Sequence, residues 1–196
     1  MMYERNNWQD WLRLMAFLLM VAMHAGFVWK MPLPVAAALF AASRICFPVF
    51  AIIAAENFFR ADDREEYLRK LLPWGLASEP FFYLVTGSFG NAIVQIWLGL
   101  AFVEYGNIAF AIACALCDFG ASGLAALVVW SAVSRQYRIA GGLVACAWPW
   151  SAFSALGALL PALRINLPAV PFALHRVFRI GYPAHLAAFA LLGVAK

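Results

Sequence analysis

Apolar stretches recur from Leu12 to Ala195 with only short polar or Pro/Gly breaks, and such a chain has almost nowhere to fold but in lipid. A spanning helix needs about 20 predominantly apolar residues. Backbone N–H and C=O groups facing hydrocarbon must be satisfied within the segment, so stretches of this length read as helices. Composition agrees: 65% of the residues are hydrophobic, 12% are charged and the mean hydropathy is +0.80. The expected fold class is an all-α integral membrane protein, a single bundle of about eight transmembrane helices spanning 1–196 as one domain. The runs fall at 11–29, 35–59, 67–86, 90–104, 107–117, 120–134, 138–161 and 181–195. The fifth and sixth are short and so expected to be tilted or broken. The first follows Arg5 and Arg13 but is long and leads into another span, which makes it a retained helix rather than a cleaved signal.

The net charge of +4 is modest, and the basic residues sit at helix ends instead of forming a stripe, which excludes nucleic acid as a partner. With a cytoplasmic N-terminus, Arg5, Arg13, Arg60, Arg64, Arg69, Lys70, Arg135, Arg138 and Lys196 fall inside and Lys30, Arg164, Arg176 and Arg179 outside. The positive-inside rule then predicts a multi-pass protein of the bacterial inner membrane with both termini cytoplasmic and Arg164 to Arg179 as the longest outer connection. Cys46, Cys114, Cys117 and Cys146 lie in apolar helical sequence and read as packing residues; the C-x-x-C of Cys114 and Cys117 lacks a redox-fold context. The histidines and carboxylates have no recognised metal-ligand spacing, and no serine elbow or phosphate-cradling glycine loop is present.

An ionisable group at membrane depth costs at least about 2.5–3.5 kcal/mol, so each asks for a partner. His24, Arg44, Glu56, Glu79, Asp118 and His185 are such groups. Arg13 and His24 are eleven residues apart on one helix face, roughly 16 Å along the axis. That spacing suits a ligand with an anionic head at the cytosolic rim and a long arm in the bundle, the shape of acetyl-CoA; the structural alternative is a snorkelling Arg13 and a packing histidine. His185 and Tyr182 share a face at i, i+3. Counted inward, His185 is five residues from Ile180 and His24 five from Trp29, so both are expected at one level in the outer half, where their near-neutral pKa suits proton transfer. Arg44 is expected near that level. Asp118 either caps the sixth helix or orients a histidine, Glu79 lies mid-membrane, and Glu56 reads as an i, i+4 partner of Arg60. The charged run 60–70 is by default a solvated loop, with basic members able to hold phosphates beside Arg13.

Arg13 to His24, Ala42-Ser43-Arg44-Ile45-Cys46-Phe47-Pro48-Val49-Phe50 with Glu56, Tyr67 to Leu72, Ser78-Glu79-Pro80-Phe81, Gly90-Asn91, Asp118-Phe119-Gly120 and Tyr182-Pro183-Ala184-His185-Leu186 together resemble, in order and spacing, the TraX family. Its members are membrane proteins associated with N-acetylation of conjugative F-type pilin. The Arg13-x10-His24 spacing also resembles the first-helix motif of membrane acyltransferase family 3. The resemblance implies an acetyl-CoA-dependent acetyltransferase acting on a pilin N-terminus or a glycan. His24 would be the general base and His185 with Tyr182 would position the acceptor or stabilise the oxyanion. Arg44 and Asp118 would orient them, and Arg13, Arg60, Arg64, Arg69 and Lys70 would hold the CoA phosphates. Met23 stands where the family pattern has an acidic residue, and Ile180-Gly181 where it has an aromatic pair; Glu79 or Asp118 is then the expected substitute. The rival classes are a small proton-coupled transporter and a non-catalytic pilus or secretion assembly subunit.

Overall fold

A computed structural model describes residues 7–121, 152–163, 165–170 and 174–194. The helix expected at 120–134 and most of that at 138–161 lie outside the described residues, as do Arg135, Arg138 and Cys146. Among the described residues all regular structure is helical: α1 (Asn7–Trp29), α2 (Leu33–Ser43), α3 (Cys46–Arg60), α4 (Arg64–Thr86), α5 (Ala92–Tyr105), α6 (Ile108–Ala115), α7 (Ala152–Leu159) running into a 3-10 turn (Leu160–Ala162), and α8 (Leu174–Val194). Asn7–Trp29 and the pair Leu33–Arg60 are long and apolar enough to cross a membrane; Ala92–Tyr105 and Ile180–Gly193 are shorter apolar helices.

The helix expected at 35–59 is broken at Arg44 and Ile45. Pro48 is the cause: it has no N–H for the Arg44 carbonyl, and its ring crowds that group. The chain tightens to i, i−3 bonds from Arg44 and Ile45 to Ala41 and Ala42, and restarts with Pro48 in the first turn of α3, where an N–H is not needed. Prolines 73 and 80 do not break α4. Trp97 Nε1 and Asn91 Nδ2 donate to the carbonyls of Leu68 (3.0 Å) and Gly75 (2.9 Å), each next to a carbonyl, of Arg69 or Leu76, that a proline leaves without its N–H.

Side-chain contacts fix the directions. The α2–α3 pair runs back along α1: Ser43 Oγ reaches Met23 Sδ (2.9 Å), Cys46 Sγ the Ala16 carbonyl (3.1 Å), and Gln9 Nε2 donates to Glu56 Oε2 (2.7 Å). α4 returns parallel to α1 and brings Phe82 to His24. α5 descends beside α4, ending where Glu104 meets Arg64 at 3.3 Å. α8 is parallel to α1: Phe178 packs on Phe17, His185 on His24, and Phe189 on Trp29. Between α7 and α8 the chain lies against the start of α1, where Asn7 Nδ2 and Trp11 Nε1 donate to the Leu167 and Pro168 carbonyls.

This corrects the expected topology. The beginning of α1 and the end of α8 lie at opposite ends of the bundle, where the expected topology had both at one. Residues 165–170 lie at the face where α1 begins, not at the other. The last helix starts at Leu174 rather than near 181, with Arg176 and Arg179 inside its first two turns instead of in an outer loop.

Packing follows membrane rules. Lipid is as apolar as leucine, so association depends on close approach and small residues. Ala16, Ala51 and Ala55 are buried between α1, α3 and their neighbours, and a Cβ on Gly157 of α7 would meet the Ile45 carbonyl oxygen at 2.5 Å, at the α2–α3 break. One cluster joins α3, α4 and α5 through Phe47, Ile52, Phe58, Leu68 and Leu100; a second joins α1, α3 and α8 through Leu12, Met20, Val49, Ile53 and Leu186.

Candidate active site between the first and last helices

His24 on α1 and His185 on α8 meet directly. His24 Nδ1 lies 3.0 Å from His185 Nε2, the rings are 5.2 Å apart and 22° from parallel, and His24 is 1% exposed. The expectation that they share a level holds, for a different reason: α8 starts at the opposite face and runs with α1, so the inward count from Ile180 was not what matched them. His185 Nδ1 lies 2.9 Å from the Gly181 carbonyl oxygen. Phe17, Phe82 and Phe189 present edges to the two rings and hold their planes. Tyr182, 5% exposed and one turn before His185, packs edge-on against it, and its hydroxyl is directed at the Ala92 backbone at the start of α5.

On the side of the pair toward the start of α1 lies a cavity of about 410 Å3 with mostly apolar walls from α1, α3, α4, α5 and α8. Phe17 and Tyr182 line it and also touch His185, so they stand between cavity and histidines. Among the described residues, Arg13 and Lys70 are its cationic wall residues. Arg13 Nη1 is held 2.8 Å from Asp10 Oδ1, and Lys70 Nζ lies 2.6 Å from Glu66 Oε1.

Of the five cations expected to bind phosphate, only these two face the cavity. Helical phase explains Arg69: Tyr67, Lys70, Leu71 and Trp74 form the i, i+3, i+4, i+7 stripe on the cavity, and Arg69 lies about 100° off it. Arg60 pairs with Glu56 at 3.8 Å, as the i, i+4 spacing implied, and Arg64 pairs with Glu104 with its guanidinium over Phe58 and Phe59.

Glu79 is not brought to the histidines. Its carboxylate accepts from Gly90 N (2.5 Å), Asn91 N (3.0 Å) and Asn91 Nδ2 (2.6 Å), while Asn91 Oδ1 caps α5 by accepting from Ile93 and Val94 N–H. A carboxylate there satisfies orphan donors and complements the helix dipole. Arg44, 8% exposed at the α2–α3 break, lies 3.9 Å from the Phe40 ring centre and 5.5 Å from that of Phe119, and it attracts Asp118 electrostatically. Asp118 N–H donates to the Gly90 carbonyl (3.3 Å). The two residues thus fasten the α6 turn to α2 and α4–α5, and neither hydrogen-bonds to a histidine among the described residues.

Sequence reasoning passed over Asp10, 4% exposed, although its i, i+3 spacing from Arg13 was the available signal. It also passed over Gln95, fully buried, which donates to the Cys114 and Gly120 carbonyls and accepts from Phe119 N–H. Gln95 in an apolar helix was an unused sign of a bonded polar group. Cys114 and Cys117 are free and bond to backbone carbonyls, as packing residues do. Among the described residues no cluster of metal-ligating side chains occurs.

The arrangement offers a buried imidazole pair, chemically able to exchange a proton, and beside it an apolar cavity with Arg13 and Lys70 in its wall. No curated protein and no solved structure matches the chain. The family profile described as TraX protein matches residues 8–193, nearly the whole chain, and this membrane protein therefore belongs to the TraX family.

Proposed function

We propose that this protein is an acetyltransferase of the inner membrane, moving the acetyl group of acetyl-CoA to an acceptor amine or hydroxyl. One observation carries the reading: the buried His24–His185 contact stands beyond a cavity with apolar walls whose cations are Arg13 and Lys70. The cations suit the phosphates of a CoA thioester and the apolar walls its arm. The histidine pair takes a proton from the acceptor, whose lone pair bonds to the acetyl carbonyl carbon. The C–S bond breaks, and the departing thiolate receives that proton. A desolvated site strengthens each of these interactions. The family's association with pilin acetylation makes a pilin N-terminus the leading acceptor, with a glycan hydroxyl as the other. A cytoplasmic α1 start suits this reading, because Arg13, Arg60, Arg64, Arg69 and Lys70 gather at that face, α8 begins there with Arg176 and Arg179, and Lys30 lies at the other.

The test is acetyl-CoA binding and turnover in nanodiscs for wild type, Arg13→Ala, His24→Ala and His185→Ala. Arg13→Ala is expected to weaken binding roughly tenfold to a hundredfold, the loss of one charge-assisted contact. Each histidine variant is expected to bind normally and lose roughly 10²–10⁴-fold in turnover. A folded protein that binds no acetyl-CoA overturns the proposal in favour of a transporter or an assembly subunit.

A further inference from the structure

We infer that His24 Nε2 is the atom that accepts the proton, and that His185 is a positioning residue which fixes this through a hydrogen-bond chain ending on the Gly181 carbonyl; the inference rests on the acetyl-transfer reading. A carbonyl oxygen only accepts, so His185 Nδ1, 2.9 Å from Gly181 O, carries the hydrogen. A neutral imidazole has one N–H, which leaves His185 Nε2 with a lone pair aimed at His24 Nδ1, 3.0 Å away. Two lone pairs do not face one another at that distance, so His24 Nδ1 donates. The lone pair of His24 is thereby placed on Nε2, which makes no hydrogen bond among the described residues.

The competing arrangements are worse. Reversing the chain sets the His185 Nδ1 lone pair against a carbonyl lone pair. A doubly protonated His185 donates to both neighbours but puts a cation between Phe17 and Phe189, where no carboxylate hydrogen-bonds to it among the described residues. Turning either ring by 180° keeps its plane but puts a carbon where Nδ1 stands, and so gives up the contact with His185 Nε2 or with the Gly181 carbonyl.

The chain does the work that a buried carboxylate does behind other catalytic histidines: it fixes the tautomer and supports the imidazolium. When His24 Nε2 takes the acceptor's proton, its Nδ1–H leans on His185 Nε2 and the His185 Nδ1–H on Gly181 O. Nε2 then returns the proton to the thiolate, so the chain gains and loses nothing over a turnover.

The experiment is ¹⁵N NMR of ¹⁵N-histidine-labelled protein in detergent micelles, in a His175→Gln background that leaves two imidazoles. Both are expected as Nδ1–H tautomers, the form disfavoured for imidazole side chains in water. His185→Leu is expected to return His24 to the Nε2–H tautomer and cut kcat roughly 10²–10⁴-fold with the KM for acetyl-CoA within a few-fold of wild type. His185→Gln, whose amide oxygen can take the His24 Nδ1–H, is expected to keep the His24 tautomer and recover part of the rate. An Nε2–H signal for His24 in the parent, or a His24 tautomer indifferent to His185→Leu, overturns the inference. The tautomers are read without substrate: Nδ1–H signals in a protein that never turns over acetyl-CoA would sink the acetyl-transfer reading, and the proton step with it, while leaving the hydrogen-bond chain, and wild-type turnover with Nε2–H signals would sink this inference alone.

Discussion

At the scale of single residues, the polar groups buried in this bundle divide by what their atoms touch. Glu79 and Asn91 account for the free donors at the start of α5: Glu79 takes the N–H of Gly90 and Asn91, and Asn91 takes those of Ile93 and Val94. Glu79→Ala leaves two backbone donors and one amide N–H of the fully buried Asn91 unmatched and is expected to lower stability by about 2–4 kcal/mol, read as a shift in the SDS-unfolding midpoint in mixed micelles. A shift below about 0.5 kcal/mol would mean that water replaces the carboxylate. Sequence alone marked Glu79 as a group needing a partner but not which one. Gly90, eleven residues on, reaches it through a turn with φ 77°, and a backbone N–H advertises nothing in a sequence. His24 and His185 were legible as groups needing a partner because both are titratable and flanked by apolar residues. Their mutual contact was not, since it depends on the direction of α8.

Helix ends and breaks carry the next level of information. α4 begins at Arg64 because Asp63 Oδ1 accepts from Glu66 N–H at 2.8 Å, and the Asp-x-x-Glu signature of that cap stands in the sequence within what otherwise reads as a solvated charged run. α4 and α5 stop at Gly87 and Gly106, both left-handed, as C-terminal glycines do. The bend at Arg44 is the work of Pro48, and Arg44 owes its place against Phe40 and Phe119 to it. Pro48→Ala restores a donor to the Arg44 carbonyl and is expected to straighten α2 onto α3. Electron-resonance distances between spin labels at Val35 and Arg60 should then lengthen by several ångströms. An unchanged distance would assign the bend to packing against Gly157 instead. Long apolar runs were readable as helices because period and length agree; the break was not, because the chain breaks before proline 48 yet runs unbroken through prolines 73 and 80.

For the whole molecule, the parallel course of α1 and α8 decides the topology. If α1 begins in the cytoplasm, a chain extended past Val194 emerges on the far side. A C-terminal alkaline phosphatase fusion is therefore expected to be active and a green fluorescent protein fusion dark; the reverse pair of results would place both ends on one side and contradict the arrangement of α8. Starting the last helix at 181 misled the sequence reading, because it placed Arg176 and Arg179 in an outer loop when both belong to the first two turns of α8. The parallel course of α1 and α8 also sets when the histidine contact can form. The two histidines come from the first and last helices, 161 residues apart. Until α8 enters the membrane, the growing chain holds His24 on an unfinished wall with nothing to complete it. A ribosome still occupied with the middle helices has made a chain in which the contact between the two histidines cannot yet exist.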